Sequence, residues 1–61
     1  MRYSELERLL RKAGCTKSRE GANHTMWHSP ITGETFPVPR HSSEEVPTGT
    51  LQRIKKLAGL N

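Results

Sequence analysis

The sequence predicts an α+β fold with two layers, in which helices cover one face of an antiparallel sheet. Two segments, one near each end of the chain, carry apolar residues at helical spacing, and the segment between them alternates as strands do. The expected order is a helix, two or three strands, and a second helix. A chain of 61 residues is expected to form one domain over residues 1–61 with a thin core, because so short a chain buries only about 60% of its unfolded surface.

The first helix is predicted over about residues 4–13. Ser4 and Glu7 have the spacing of a capping box, in which the two side chains satisfy free backbone N–H groups at the helix start. Gly14 fits the left-handed conformation that commonly ends a helix. Between these ends, apolar residues recur at i, i+3, i+4 and i+7: Leu6, Leu9, Leu10 and Ala13.

Extended segments are expected between the helices. Residues 15–19 fit a short edge strand, whereas residues 23–28 and 35–38 fit a strand and its returning partner. Pro37 and Pro39 have no N–H to donate to a neighbouring strand, so the last strand is expected to lie at an edge of the sheet or to end early.

The alternation of side chains predicts which face of the sheet is buried. Trp27, Phe36 and Val38 form the more apolar set, and large aromatic side chains bury the most area, so this face is expected to pack against the helices. The other face is then open to solvent. It is expected to carry His24, Met26 and His28.

The second helix is predicted over residues 48–58, after a polar connection over residues 39–47. Thr48 is the expected N-cap, because its hydroxyl is suited to accept a hydrogen bond from a free N–H of the first turn. Gly59 is expected to end the helix. The apolar stripe of this helix consists of Leu51, Ile54, Leu57 and Ala58.

The charge balance favours an acidic partner. Ten Lys and Arg residues against six Asp and Glu residues give a net charge of +4, which points to nucleic acid first. No apolar run reaches the length of a signal peptide or a membrane span, so we expect a cytoplasmic protein with no membrane partner. Cys15 has no second cysteine to pair with, and a free thiol fits a reducing compartment.

Metal and cofactor chemistry have little support in the sequence. Glycine-rich phosphate loops and paired zinc-binding cysteines are absent. His24 and His28 lie four residues apart, which on a strand separates them by about 13 Å, too far to hold one ion together. Nothing in the sequence brings Cys15 to a histidine as a nucleophile pair. We therefore expect no metal and no cofactor.

His24 is the candidate for proton transfer. A histidine side chain is suited to accept or donate a proton near physiological pH. RNA carries its own nucleophile, the ribose 2′-hydroxyl, so a minimal ribonuclease needs only such a group and positive charge near the phosphate. The residues alone leave open that His24 is an ordinary surface histidine.

Three segments carry a resemblance to a known family: Gly21-Ala22-Asn23-His24, Val38-Pro39-Arg40-His41 and residues 49–60. In their order and spacing they resemble the HicA family of bacterial toxins. The resemblance implies a compact α-β-β-β-α domain of the double-stranded-RNA-binding type and activity as an mRNA interferase. Two positions depart from the family pattern: Ala22 stands where Gly or Ser is usual, and Gly14-Cys15 replaces a Gly-Phe pair.

The resemblance also implies roles and partners. His24 is expected to be the general acid or base that cleaves the phosphodiester of mRNA, and a HicB-type antitoxin is expected to cover it. His41 is open to two interpretations, as a second site residue or as a residue that fixes its loop. Charge and placement suggest further substrate-binding residues, and with the motif residues the expected set is Lys17, Arg19, Asn23, Arg40 and His41.

Two other function classes remain open at this point. The same basic surface suits a small RNA-binding module without catalysis, which would bind RNA in a salt-dependent manner and leave it intact. It also suits a protein-interaction domain with no role in nucleic-acid binding, which would fail to bind RNA even at low salt.

Overall fold

The computed structural model describes residues 1–41 and 43–60. Ser42, part of the expected polar connection, and Asn61 lie outside the described residues. The elements follow the predicted order: α1 (Tyr3–Lys12), β1 (Thr16–Glu20), β2 (His24–His28), β3 (Thr35–Pro39) and α2 (Thr48–Ala58). The strands form one antiparallel sheet with β2 in the centre, which confirms the α+β class. In the described ranges neither helix has the length and apolar character needed to cross a membrane.

The core lies on one face of the sheet, as predicted. Trp27, Phe36 and Val38 are each 1% exposed, and they belong to the same buried cluster as residues of both helices. Alternation along β2 leaves His24 exposed and Met26 half-buried on the opposite face. The helical residues of the cluster are Tyr3, Leu6 and Leu10 from α1, and Ile54 and Ala58 from α2.

Helix α1 starts one residue earlier than predicted, and the prediction that Ser4 and Glu7 form its capping box is wrong. The N-cap is Arg2, whose backbone N–H donates a hydrogen bond to Oε1 of Glu5 at 2.8 Å. Tyr3 donates its N–H to the carbonyl of Glu44 at 3.0 Å and buries its ring, so the apolar stripe begins a turn before Leu6. The start of α1 is thus fixed by a contact with a distant part of the chain.

The two prolines of β3 explain why this strand lies at an edge. N–H groups of alternate residues in a strand point to the same side, and Arg40 donates its N–H toward β2, to the carbonyl of Asn23 at 3.2 Å. Pro37 and Pro39 are out of phase with Arg40, so their missing N–H groups face the outer edge, where no ladder bond is lost. The predicted edge position is confirmed.

Strand β1 contains a β-bulge that changes which side chains share a face. Lys17 pairs with Trp27, but Arg19 pairs with Met26, so Ser18 is the extra residue between them. In a regular strand Lys17 and Arg19 would point the same way. The bulge instead places Lys17 on the helix-covered face and Arg19 on the open face.

Helix α2 has the predicted bounds but a different N-cap. Pro47 occupies the N-cap, with φ −56° and ψ 143°, and no side chain caps the first turn. The prediction of Thr48 as N-cap is therefore wrong. Thr48 is already the first helical residue, and the N-cap is the residue before it. At the other end Gly59 takes the left-handed conformation with φ 80°, as predicted.

The loop between β2 and β3 holds the C-terminal end of α2. The Ser29 hydroxyl, fully buried, donates to the carbonyl of Ala58 at 2.7 Å, and the Thr32 hydroxyl donates to the carbonyl of Leu57 at 2.6 Å. The last carbonyls of a helix have no partner inside the helix. The hydroxyls of Ser29 and Thr32 are hydrogen-bond partners for two of these carbonyls, and they attach α2 to the loop that follows β2.

Replacing Gly59 by Ala is expected to lower the free energy of unfolding by about 1–3 kcal/mol. The φ of 80° is strained for any residue with a side chain, and the added Cβ would lie 2.6 Å from Cγ2 of Ile31. Urea denaturation followed by tryptophan fluorescence measures the change.

Gly49→Ala, at the other end of α2, is the matched control. A Cβ at Gly49 meets nothing within 4 Å, so this variant is expected to be unchanged or more stable by up to about 1 kcal/mol. Equal stability of the two variants would contradict the assigned role of Gly59.

Candidate functional site

His24 stands at the start of β2, directly after a tight turn. The N–H of Gly21 donates to the His24 carbonyl at 2.7 Å, which closes the turn over the two intervening residues. A Cβ at Gly21 would lie 3.3 Å from the same carbonyl oxygen, so the close approach favours glycine there. The side chain of His24 is exposed on the open face.

Arg40 holds this turn from the neighbouring strand. Its Nη1 donates to the carbonyl of Gly21 at 3.0 Å, and its backbone N–H donates to the carbonyl of Asn23 at 3.2 Å. Asn23 itself is exposed beside His24. Arg40, expected from the sequence to contact substrate, is therefore engaged with the backbone that positions His24.

A cavity of about 250 Å3 opens beside His24, between β3 and α2. Its walls are mostly apolar, and Thr50 and Arg53 supply polar groups from α2. The residues that line it are His24, Pro37, Pro39, Thr50, Arg53, Ile54 and Leu57. His24 thus shares a concave surface with Arg53, which lies 29 positions later in the chain.

Arg53 was missed by the sequence analysis, which assigned substrate contacts to other cations. Thr50, Arg53 and Leu57 are spaced i, i+3 and i+7, so they form a row along one side of α2. That row is visible in the sequence. The sequence does not show which surface this row faces, because that depends on how α2 packs beside β3.

The cations expected to bind phosphate lie on both faces of the sheet. Arg19 shares the open face with His24 through its pairing with Met26. The ammonium of Lys17 lies on the other face, 5.8 Å from the centroid of the Trp27 ring and 3.9 Å from Oε1 of Glu20. Arg40 lines a cavity on that same side together with Lys17 and Glu20. The structure thus brings Arg19, but not Lys17, to the face of His24.

The other two histidines have partners of their own. His28 Nδ1 lies 3.2 Å from Oγ1 of Thr35. His41 packs edge-on against the ring of Tyr3, with 6.3 Å between centroids, and its Nδ1 lies 3.8 Å from Glu44. These contacts attach His41 to the start of α1.

Among residues 1–41 and 43–60, no three His, Cys, Asp or Glu side chains are grouped so as to hold a metal ion.

The arrangement around His24 is suited to an anionic substrate that carries its own nucleophile. His24, a group capable of proton transfer, lies on the open face, with Arg53 lining the same cavity and Arg19 on the neighbouring strand. Guanidinium groups recognise phosphate through paired hydrogen bonds. The site therefore places a histidine near arginines, residue types that are suited to proton transfer and to phosphate binding.

A comparison with protein families relates this chain to known proteins. The chain is similar to the family described as HicA toxin of bacterial toxin-antitoxin, whose model matches residues 3–60. The matched range contains both helices, all the strands and the turn before His24. Neither the curated proteins nor the solved structures contain a match to this chain.

Replacing Arg40 by Gln is expected to loosen the turn before His24. The Gly21 amide should then exchange its hydrogen roughly two- to tenfold faster, as expected for the loss of one hydrogen bond worth about 0.5–1.5 kcal/mol. Amide exchange measured by NMR reports this. Arg8→Gln, the same substitution on the exposed side of α1, is the control and should leave that rate unchanged. Equal rates in both variants would show that Arg40 does not hold the turn.

Proposed function

The chain belongs to the HicA toxin family of bacterial toxin–antitoxin systems, and from this premise we propose that it is a metal-independent endoribonuclease that cleaves mRNA. His24 is its catalytic residue. The observation that supports this most directly is the exposure of His24 on the open face of the sheet, in a cavity that it shares with Arg53. An mRNA substrate implies action in the cytoplasm.

The proposed chemistry uses the substrate's own hydroxyl. The ribose 2′-oxygen attacks the adjacent phosphorus, and the bond from phosphorus to the 5′-oxygen of the next nucleotide breaks. His24 either takes the proton from the 2′-hydroxyl or gives one to the leaving 5′-oxygen, and solvent water makes the other of these two transfers. Each role needs an imidazole within hydrogen-bond reach of the phosphodiester. Cationic side chains near the phosphate stabilise the charge that develops on its oxygens.

A HicB-type antitoxin is the proposed protein partner, bound over the open face. The face opposite the core carries the half-buried Met26 beside His24, and a partner covering them would block access to the imidazole. The net charge of +4 suits an acidic inhibitor. A neighbouring reading frame that encodes such a protein would support this partner.

His24→Ala is expected to lower the rate of RNA cleavage by about 10²–10⁴-fold, since that is the usual contribution of a general acid or base. The purified variant should remain folded, because the side chain is exposed. Cleavage of a labelled single-stranded RNA measures the rate, and growth arrest on expression gives a second readout. EDTA should leave the wild-type rate unchanged.

His28→Ala is the matched control, because it removes a second histidine from the same face of β2. It is expected to retain cleavage. Wild-type activity in His24→Ala would refute the catalytic assignment, and loss of activity in EDTA would refute metal independence. Salt-dependent RNA binding without any cleaved product would identify the chain as a non-catalytic RNA-binding module.

A further inference from the structure

Arg53 is the charged residue of the His24 cavity for which the fold offers no structural task. It is exposed on α2, and none of the ion pairs among the described residues involves it. A long charged side chain beside apolar walls normally turns toward water. Arg53 is exposed in this way, and it also lines the concave surface that contains His24.

The chemistry of this cavity suits one phosphodiester group. Pro37 and Pro39 provide an apolar floor at the edge of the sheet, and Thr50, half-buried, adds a hydroxyl. The polar groups are an imidazole, a guanidinium and a hydroxyl, a set that favours an anionic group with several oxygen acceptors.

We propose that Arg53 binds the scissile phosphate of RNA in this cavity, while His24 transfers the proton. The inference rests on the proposed ribonuclease function and adds a specific substrate contact to it. Arg53 would donate paired hydrogen bonds to the non-bridging oxygens, an arrangement for which a planar guanidinium is better suited than an ammonium. Arg53 moves no proton in this step.

The position of the other cations favours Arg53 for this role. Lys17 and Arg40 belong to the face of the sheet opposite His24, where Lys17 faces Glu20 and Arg40 is bonded to the carbonyl of Gly21. Both side chains already have partners on that face, whereas Arg53 lines the same cavity as His24. Arg19 shares the open face but stands on β1, on the side of β2 away from the cavity.

The test compares Arg53→Gln with Lys56→Gln, which removes the same charge from an exposed position of the same helix. Arg53→Gln is expected to lower kcat/KM for a single-stranded RNA by about 10²–10³-fold, the usual effect of removing one donor to a developing anion. Lys56→Gln should change it less than about threefold, as expected for a charge without a phosphate contact. Thermal unfolding of both variants checks that they are folded.

Binding of the corresponding DNA oligonucleotide, which lacks the 2′-hydroxyl, tests the phosphate contact apart from catalysis. The slope of log K against log salt concentration should become shallower by about 0.7 in Arg53→Gln, the value for one phosphate contact on a single strand, and should stay unchanged in Lys56→Gln. Arg53→Lys keeps the charge, so it should keep the slope while kcat/KM falls about five- to tenfold through loss of the paired hydrogen bonds.

The outcomes separate this inference from the function on which it rests. If His24→Ala is inactive but Arg53→Gln matches Lys56→Gln in rate and in salt slope, the ribonuclease proposal stands and the role of Arg53 is refuted. A loss of activity in Arg53→Gln with an unchanged salt slope also refutes the phosphate contact. If His24→Ala cleaves like the wild type, the ribonuclease proposal itself fails.

Discussion

Burial of Trp27, Phe36 and Val38 on a single face of the sheet is the constraint on which the rest of the structure depends. In a chain of 61 residues, two short helices supply enough apolar surface to cover that face. Because side chains alternate along a strand, burying Trp27 turns His24 outward at the start of the same strand. The packing that stabilises the domain is therefore also what exposes the candidate site, and the thin core and open face have one cause.

The contacts that hold the helices also set the geometry around His24. The hydroxyls of Ser29 and Thr32 bond the last carbonyls of α2 and fix that helix beside β3. Because the residues of a helix have fixed positions relative to one another, anchoring its C-terminal end also places the backbone of Arg53 at the cavity that His24 lines. On the other side, Arg40 bonds the turn that leads into β2. Loop and turn contacts that serve stability thus position the proposed catalytic and phosphate-binding groups.

The spacing of apolar residues predicted most of the fold, because it indicates which side chains are buried. The apolar stripes gave the helices and the bounds of α2, and prolines gave the edge position of β3. The helix starts were less predictable. Ser4 and Thr48 are good capping residues, but Glu5 bonds the N–H of Arg2, and Pro47 is the N-cap of α2. A capping signal competes with its neighbours and with contacts from distant segments, and the local sequence does not show which one prevails.

For the candidate site, the sequence by itself determined that His24 lies on the open face, because alternation along a strand with a buried tryptophan is a local property. The family resemblance seen in the sequence is matched over residues 3–60. Only the tertiary structure decided which cations accompany His24. The bulge at Ser18 separates Lys17 from Arg19, although their spacing predicts a shared face, and the docking of α2 brings in Arg53. Both depend on pairing and packing between segments far apart in the chain, which no local pattern encodes.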